Sequence, residues 1–230
     1  MKILAIDTSG QTAGAAIVDE YITIGEINLG AASGTGWHHS ERLMPAVERL
    51  FSLMGLTLAD MDYVAYTAGP GSFTGLRIGA ATALGLARGI NRPAIAVPTL
   101  DALAYNIGCA DALIMPMMDA RRRQVYTAAY RWENASLIRI TDYYALPIKE
   151  ALLMANGRTI FLGDGTDAYR EDIVTTLPNA QFAPVNANRQ RAASVGCVAM
   201  QMLHNGYTPS DAVALMYVRQ PQAVQDLERK

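Results

Sequence analysis

The chain has 230 residues, 51% hydrophobic and 17% charged, with a formal net charge of -2. That balance excludes a protein built around a broad basic face for nucleic acid, and no apolar run reaches the roughly 18 residues of a membrane-spanning helix. Charge falls below the about 25% typical of soluble domains, so part of the apolar surface is expected to meet another chain.

Ile3 to Ile6 is a short apolar run that ends in Asp7-Thr8-Ser9-Gly10, the pattern of a buried strand stopping where polar side chains take over. Strands are expected at Ala13 to Val18 and Tyr21 to Leu29. Between Ser40 and Met54, the residues Leu43, Val47, Leu50, Phe51 and Met54 recur at helical spacing, with Pro45 opening or kinking the first turn. Met61 to Thr67 reads as a strand, Ala68 to Gly75 as a glycine-rich loop, Leu76 to Gly89 as a helix and Ala94 to Val97 as a strand.

A second pass begins after a helix-like stretch at Leu100 to Ile107. Strands are expected at Ala112 to Met118, Val125 to Tyr130 and Leu137 to Tyr143. Then come a helix at Ile148 to Ala155, a strand at Thr159 to Leu162, the loop Gly163-Asp164-Gly165, a helix at Asp167 to Thr176 and a last helix at Arg191 to His204. Each pass gives three strands, a helix, a strand and a helix, with an acid ending the first strand (Asp7, Asp119) and a glycine loop after the fourth. A duplicated α/β protein with mixed sheets covered by helices is expected, divided into lobes 1–98 and 99–230.

The loop Ala68-Gly69-Pro70-Gly71-Ser72-Phe73-Thr74-Gly75 follows a strand and opens a helix, which is the geometry of an anion site. It lacks the G-K-[ST] ending of a Walker loop. Two readings stay open: a phosphate held by backbone N–H groups with Ser72 and Thr74, or a tight turn capped by Ser72 or Thr74. Behind it, Gly75, Gly79 and Ala83 stand at spacing four, with Gly85 and Gly89 further along. Interior helix glycines cost about 1 kcal/mol each relative to alanine, and a groove for a close partner helix would offset that cost. The alternative is a pair of ordinary sheet-covering helices.

Metal chemistry finds little support, because the histidines are only His38, His39 and His204. Asp7 and Asp119 fit a cation opposite a nucleotide; equally, Asp7 caps its own turn. No Ser/His/Asp or Cys/His set stands out. Arg121-Arg122-Arg123 reads as a solvated turn. Cys109 and Cys197 are isolated, as in a reduced, cytoplasmic protein.

The runs Ile3-Leu4-Ala5-Ile6-Asp7-Thr8-Ser9, His39-Ser40-Glu41-Arg42-Leu43-Met44-Pro45 and above all Gly69-Pro70-Gly71-Ser72-Phe73-Thr74-Gly75-Leu76-Arg77 resemble the bacterial TsaB (YeaZ) family. Asp119-Ala120-Arg121, Val125-Tyr126, Gly163-Asp164-Gly165 and Tyr217-Val218-Arg219 with Pro221 and Ala223 extend the likeness over nearly the whole chain. The resemblance implies the duplicated fold of actin, sugar kinases and heat-shock ATPases. It also implies a non-catalytic dimerisation subunit in the synthesis of threonylcarbamoyladenosine in tRNA. Its implied partners are the catalytic paralogue TsaD and the ATPase TsaE, with a homodimer when alone and tRNA met only through the complex.

The catalytic paralogue carries an H-x-x-x-H metal pair, whose second histidine would fall at Leu43 here. On this reading no metal and no tightly bound cofactor is expected, although ATP or ADP fits a subunit interface touching Asp7, Thr8, Gly69, Gly71, Ser72, Thr74, Gly163 and Gly165. The partner helix is expected on Leu43, Val47, Leu50, Phe51, Gly75, Gly79 and Ala83. The rival readings are an independent phosphotransferase or ATPase and a glycoprotease-like metallopeptidase.

Overall fold

A run with no polar side chain until its last residue can hide both of its faces only in the middle of a sheet. Ile3–Asp7 does so as β1, buried along its whole length. The computed structural model describes residues 1–30, 39–209 and 212–218. After β1 come β2 (Thr12–Val18) and β3 (Thr23–Gly30), antiparallel in turn, then helix α1 (His39–Met54), β4 (Tyr63–Gly69), α2 (Phe73–Gly89), β5 (Ala94–Pro98) and α3 (Thr99–Tyr105). The sheet runs β3-β2-β1-β4-β5, with β4 and β5 parallel to β1.

The second half holds β6 (Leu113–Asp119), β7 (Gln124–Thr127), β8 (Tyr130–Glu133), β9 (Ser136–Arg139), β10 (Tyr144–Pro147), α4 (Ile148–Leu152), β11 (Thr159–Leu162), α5 (Asp164–Ala168), α6 (Arg170–Thr176), β12 (Gln181–Phe182) and α7 (Ala192–His204). Its sheet runs β10-β7-β6-β11-β12. Strand for strand, and in every parallel or antiparallel relation, this repeats the first sheet. The duplication expected from element order is therefore a duplication of topology.

Three differences from the expected elements have local causes. The run Val125 to Tyr130, read as one strand, is split between β7 and the start of β8, and the run Leu137 to Tyr143 holds strand only to Arg139, with β10 starting just beyond it. The chain leaves β7 at Ala128-Ala129, where Ala129 N–H donates to the Thr141 hydroxyl (3.0 Å) and its carbonyl accepts from Ile140 N–H (2.7 Å). That detour frees β8 and β9 to form a hairpin hung on β6 through the Ile114–Tyr130 pair. Its turn, Asn134-Ala135, has φ of 49° and 61°, as a two-residue hairpin of the right twist requires. The helix expected over 167–176 starts earlier and breaks at Tyr169 into α5 and α6. Pro45 lies inside α1, past its first turn.

Two compact units result: Met1–Ala102 with Gln190–Leu215, and Leu103–Arg189 with Met216–Lys230. The last helix, expected in a second lobe running from 99 to 230, thus belongs to the first unit. The alternation of β1 explains how. Leu4 and Ile6 face the core shared with α1 and α2, whereas Ala5 points to the other side, where a Cβ at Gly196 of α7 would meet Ala5 and Val18. Polar groups of the edge strand fix the helix start: Glu26 accepts from Ala193 N–H (2.8 Å) and pairs with Arg191, and Asn28 accepts from Ala192 N–H (3.3 Å). Asn28 reaches that far only because Gly14, beneath it, has no Cβ to obstruct it.

Burial alone would raise the Glu26 carboxyl, but its bonds from Arg191 and Ala193 outweigh burial and hold it below the usual glutamate value. A depressed carboxyl stabilises the fold above its unfolded value, and that contribution is lost as pH falls through the folded one. Glu26→Ala should therefore lower stability by about 2 kcal/mol at neutral pH. Urea denaturation should show the gap closing below about pH 4.

Candidate functional site

At the carboxyl ends of parallel strands, where α/β sheets commonly place ligands, β1 runs out in Asp7-Thr8-Ser9, and all three residues are buried. Asp7 Oδ1 accepts from the Ser9 N–H (2.8 Å), the Ser9 hydroxyl (2.7 Å) and the Thr67 hydroxyl (3.2 Å). The turn-capping alternative is thus realised. Its other oxygen, Oδ2, is buried with no hydrogen-bond partner, as are Thr99 Oγ1 and the Gln190 amide. Burial pushes the Asp7 carboxyl above the ordinary aspartate value, partly offset by Ser9 and Thr67.

The glycine turn packs directly on this corner. Ser72 N–H donates to the Ser9 carbonyl (2.7 Å), the Thr8 hydroxyl donates to the Gly75 carbonyl (2.7 Å), and Ser72 Oγ caps α2 by accepting from Gly75 N–H (3.2 Å). A Cβ on Gly71 would stand 2.5 Å from the Ser9 carbonyl oxygen; on Gly75 it would overlap the Thr8 carbonyl, and on Gly79 the Thr8 hydroxyl. These glycines admit the chain's own β1. The Ser9 and Thr8 carbonyls occupy the space where side chains at Gly71 and Gly75 would stand. The capped-turn alternative describes this segment, and Thr74 sits exposed on its outside.

The second glycine loop behaves alike. Gly163, at φ 101°, and Gly165 lie so close to the Met117 carbonyl that neither admits a side chain, and Gly163 N–H donates to Asn188 (2.8 Å). Both glycine loops thus admit carbonyls of their own unit. Asp119, the counterpart of Asp7 at the end of β6, is committed to Tyr169 Oη (3.0 Å) and to Arg121, which it holds through both backbone N–H (2.8 Å) and guanidinium (3.1 Å). The arginine turn is exposed, as expected, and tied down at both ends. Arg121, Arg122 and Arg123 have φ of 64°, 54° and 58°, and Arg123 forms a two-pronged bond to Asp172. Among the described residues, no three His, Cys, Asp or Glu side chains gather as a metal site. His38, Arg219, Pro221 and Ala223 lie outside the described residues.

The expected partner surface needs a larger correction. Leu43, Val47, Leu50 and Ala83 are at most 2% exposed and pack with Leu4, Ile6, Ile17 and Tyr66 in the unit's own core; Phe51 lies half-buried against them. Gly75 and Gly79 are buried on Thr8. The apolar stripe of α1 and the small stripe of α2 are the inner faces of both helices. On the helical wheel, Gly75, Gly79 and Ala83 share the arc of Leu76, Ala80, Leu84 and Ala87, a sign in the sequence that they face inward.

What α2 presents outward is Phe73, Thr74, Arg77, Ala81, Gly85 and Arg88, with the Arg77 guanidinium 3.8 Å over the Phe73 ring. At Gly85 a Cβ would meet nothing within 4 Å. Beside it, α1 exposes Glu41, Arg42, Pro45, Glu48 and Arg49, partly over a groove of about 510 Å³ shared with Ile27 and Leu29 of β3. No helix among the described residues is long and apolar enough to cross a membrane.

Residues 34–223 match the family described as TsaD, tRNA N6-adenosine threonylcarbamoyltransferase. The tRNA threonylcarbamoyladenosine biosynthesis protein TsaB of Bacillus subtilis is 36% identical over 185 residues, covering 79% of each chain. Its Escherichia coli counterpart is 30% identical, covering 74% of each. The solved YeaZ of Pseudomonas aeruginosa superposes with a TM-score of 0.78 at 26% identity, covering 94% of this chain and 99% of that one. The ethanolamine utilization protein EutJ of Carboxydothermus hydrogenoformans shares the fold alone, at 12% identity and a TM-score of 0.52.

A raised carboxyl favours the fold below its unfolded value, and that benefit is lost as pH rises through the folded one, so at neutral pH Asp7 opposes folding. Asp7→Asn should raise stability by on the order of 1 kcal/mol at pH 7. Thermal unfolding should show the advantage vanishing near pH 3.5, below the ordinary aspartate value.

Proposed function

The chain belongs to the TsaB (YeaZ) family, and on that premise we propose that it is a non-catalytic dimerisation subunit in the synthesis of threonylcarbamoyladenosine in tRNA. Its partner is the catalytic TsaD-type paralogue, which it meets through the outward faces of α1 and α2, and an ATPase of the TsaE type joins the pair. tRNA is met through the assembly, in keeping with the net charge of -2. The assembly works in the cytoplasm.

The observation that carries this reading is Gly85. A glycine inside an exposed helix costs about 1 kcal/mol relative to alanine. The buried glycines of α2 recover that cost by admitting β1, but among the described residues nothing would lie within 4 Å of a Cβ at Gly85. A helix from another chain, crossing closely at Ala81 and Gly85, supplies the missing reason. A nucleotide used by the assembly is held at the face shared with the partner.

Two outcomes follow. Gly79→Leu should unfold the chain, because its side chain must enter space held by Thr8, whereas Gly85→Leu should stay folded and lose association with the transferase. Circular dichroism and size-exclusion chromatography together separate the two; a folded Gly85→Leu that still binds the transferase ends this assignment of the interface. For the function itself, tRNA modification reconstituted from purified components should need this chain although it shows no turnover alone. Full modification without it would reject the helper role.

A further inference from the structure

We propose that Asn156 is a site of spontaneous modification, where the Gly157 nitrogen displaces the side-chain amide and leaves aspartate or isoaspartate in the turn before β11. The chain contains two Asn-Gly pairs, Asn156-Gly157 and Asn205-Gly206. In sequence they are equally prone, because glycine brings no Cβ to hinder its nitrogen from closing on the side chain before it. In the fold they differ.

Asn205 caps the end of α7, and the chain is locked on both sides of it. Its own N–H donates to the Gln201 carbonyl (3.0 Å), Gly206 N–H to Leu203 (3.0 Å) and Tyr207 N–H to Met202 (2.9 Å), the bonds that close a helix on a left-handed glycine. The attacking nitrogen is therefore occupied. With ψ of 10° at Asn205, that nitrogen also lies on the far side of the Cα–C bond from the side chain. Asn156 is exposed between α4 and β11, in neither helix nor strand, and no hydrogen bond ties its amide or the Gly157 N–H to another described residue. A Cβ on Gly157, at φ 66°, would meet nothing within 4 Å, so the turn has room to bring nitrogen and amide together.

The reaction needs only water. The Gly157 nitrogen loses its proton and bonds to Cγ of Asn156, the Cγ–Nδ2 bond breaks, and ammonia leaves. Water then opens the cyclic imide at either carbonyl, giving an aspartate or an isoaspartate whose backbone runs through the side chain and gains a methylene. Nothing is oxidised or reduced. Both products add a negative charge. The isoaspartate also lengthens the chain just ahead of Arg158, whose carbonyl accepts from Leu113 N–H (2.8 Å) where the pairing of β6 with β11 begins. The change thus falls on two neighbouring strands inside the second sheet, and it is independent of the assembly proposed above.

The test incubates the full chain in mildly alkaline buffer, native and in guanidinium, until the denatured sample has lost both asparagines. Peptide mapping by mass spectrometry, with fragmentation that separates aspartate from isoaspartate, then reads each site. In the native chain Asn156 should be converted about tenfold faster than Asn205 or more, because Gly206 must first break its hydrogen bond and the helix end must open. Asn156→Gln, at an exposed position and able to close only a larger, slower-forming ring, should keep the parent's circular dichroism and remove most of the acidic species that the parent accumulates on isoelectric focusing. Conversion at Asn205 as fast as at Asn156 in the native chain overturns the proposal. So does a native Asn156 that survives intact while the denatured chain reacts.

Discussion

The seating of α2 on the end of β1 is a contact between backbones, and the first unit is arranged around it. Thr8 offers a carbonyl and a hydroxyl at the point where α2 begins, and Gly75 and Gly79 present no side chain to hold them apart. Because the helix lies this close, Ala80, Ala83, Leu84 and Ala87 reach the sheet with short side chains, and α1 fills the rest of the layer with Leu43, Val47 and Leu50. The same closeness spends the inner glycines on intramolecular packing and leaves the outer face of α2 exposed.

The fold was largely legible because its signals are local. Continuous apolar runs marked β1 and β6, an acid marked where each ends, and the helices α1 and α7 were placed within a residue, α2 within three. The repeated element order carried the duplication even though the halves share little residue identity. Less legible were features decided by contacts distant in sequence. The detour at Ala129 depends on Ile140 and Thr141, beyond the end of β9, and the place of α7 depends on Glu26 and Asn28.

The site was harder to read for a related reason. Glycine spacing shows that something approaches closely, not what it is. At Gly71, Gly75, Gly163 and Gly165 a carbonyl of the same chain approaches. At Gly85 the same residue type stands in open space. Telling these cases apart needs the arc of the helix wheel on which each glycine falls, and that arc was available in the sequence. The interior of Asp7 was not: its unpaired oxygen follows from burial by elements that meet only in the folded chain.

The assignment of α7 to the first unit has a consequence for how the chain is made. One face of the first sheet, bearing Ala5, Gly14 and Val18, is covered by residues that begin at 192, so a ribosome must finish most of the polypeptide before that face can close. At about 5–20 residues per second, the early strands wait for roughly ten seconds or longer with an apolar side open. Moving α7 to the front by circular permutation would shorten the wait.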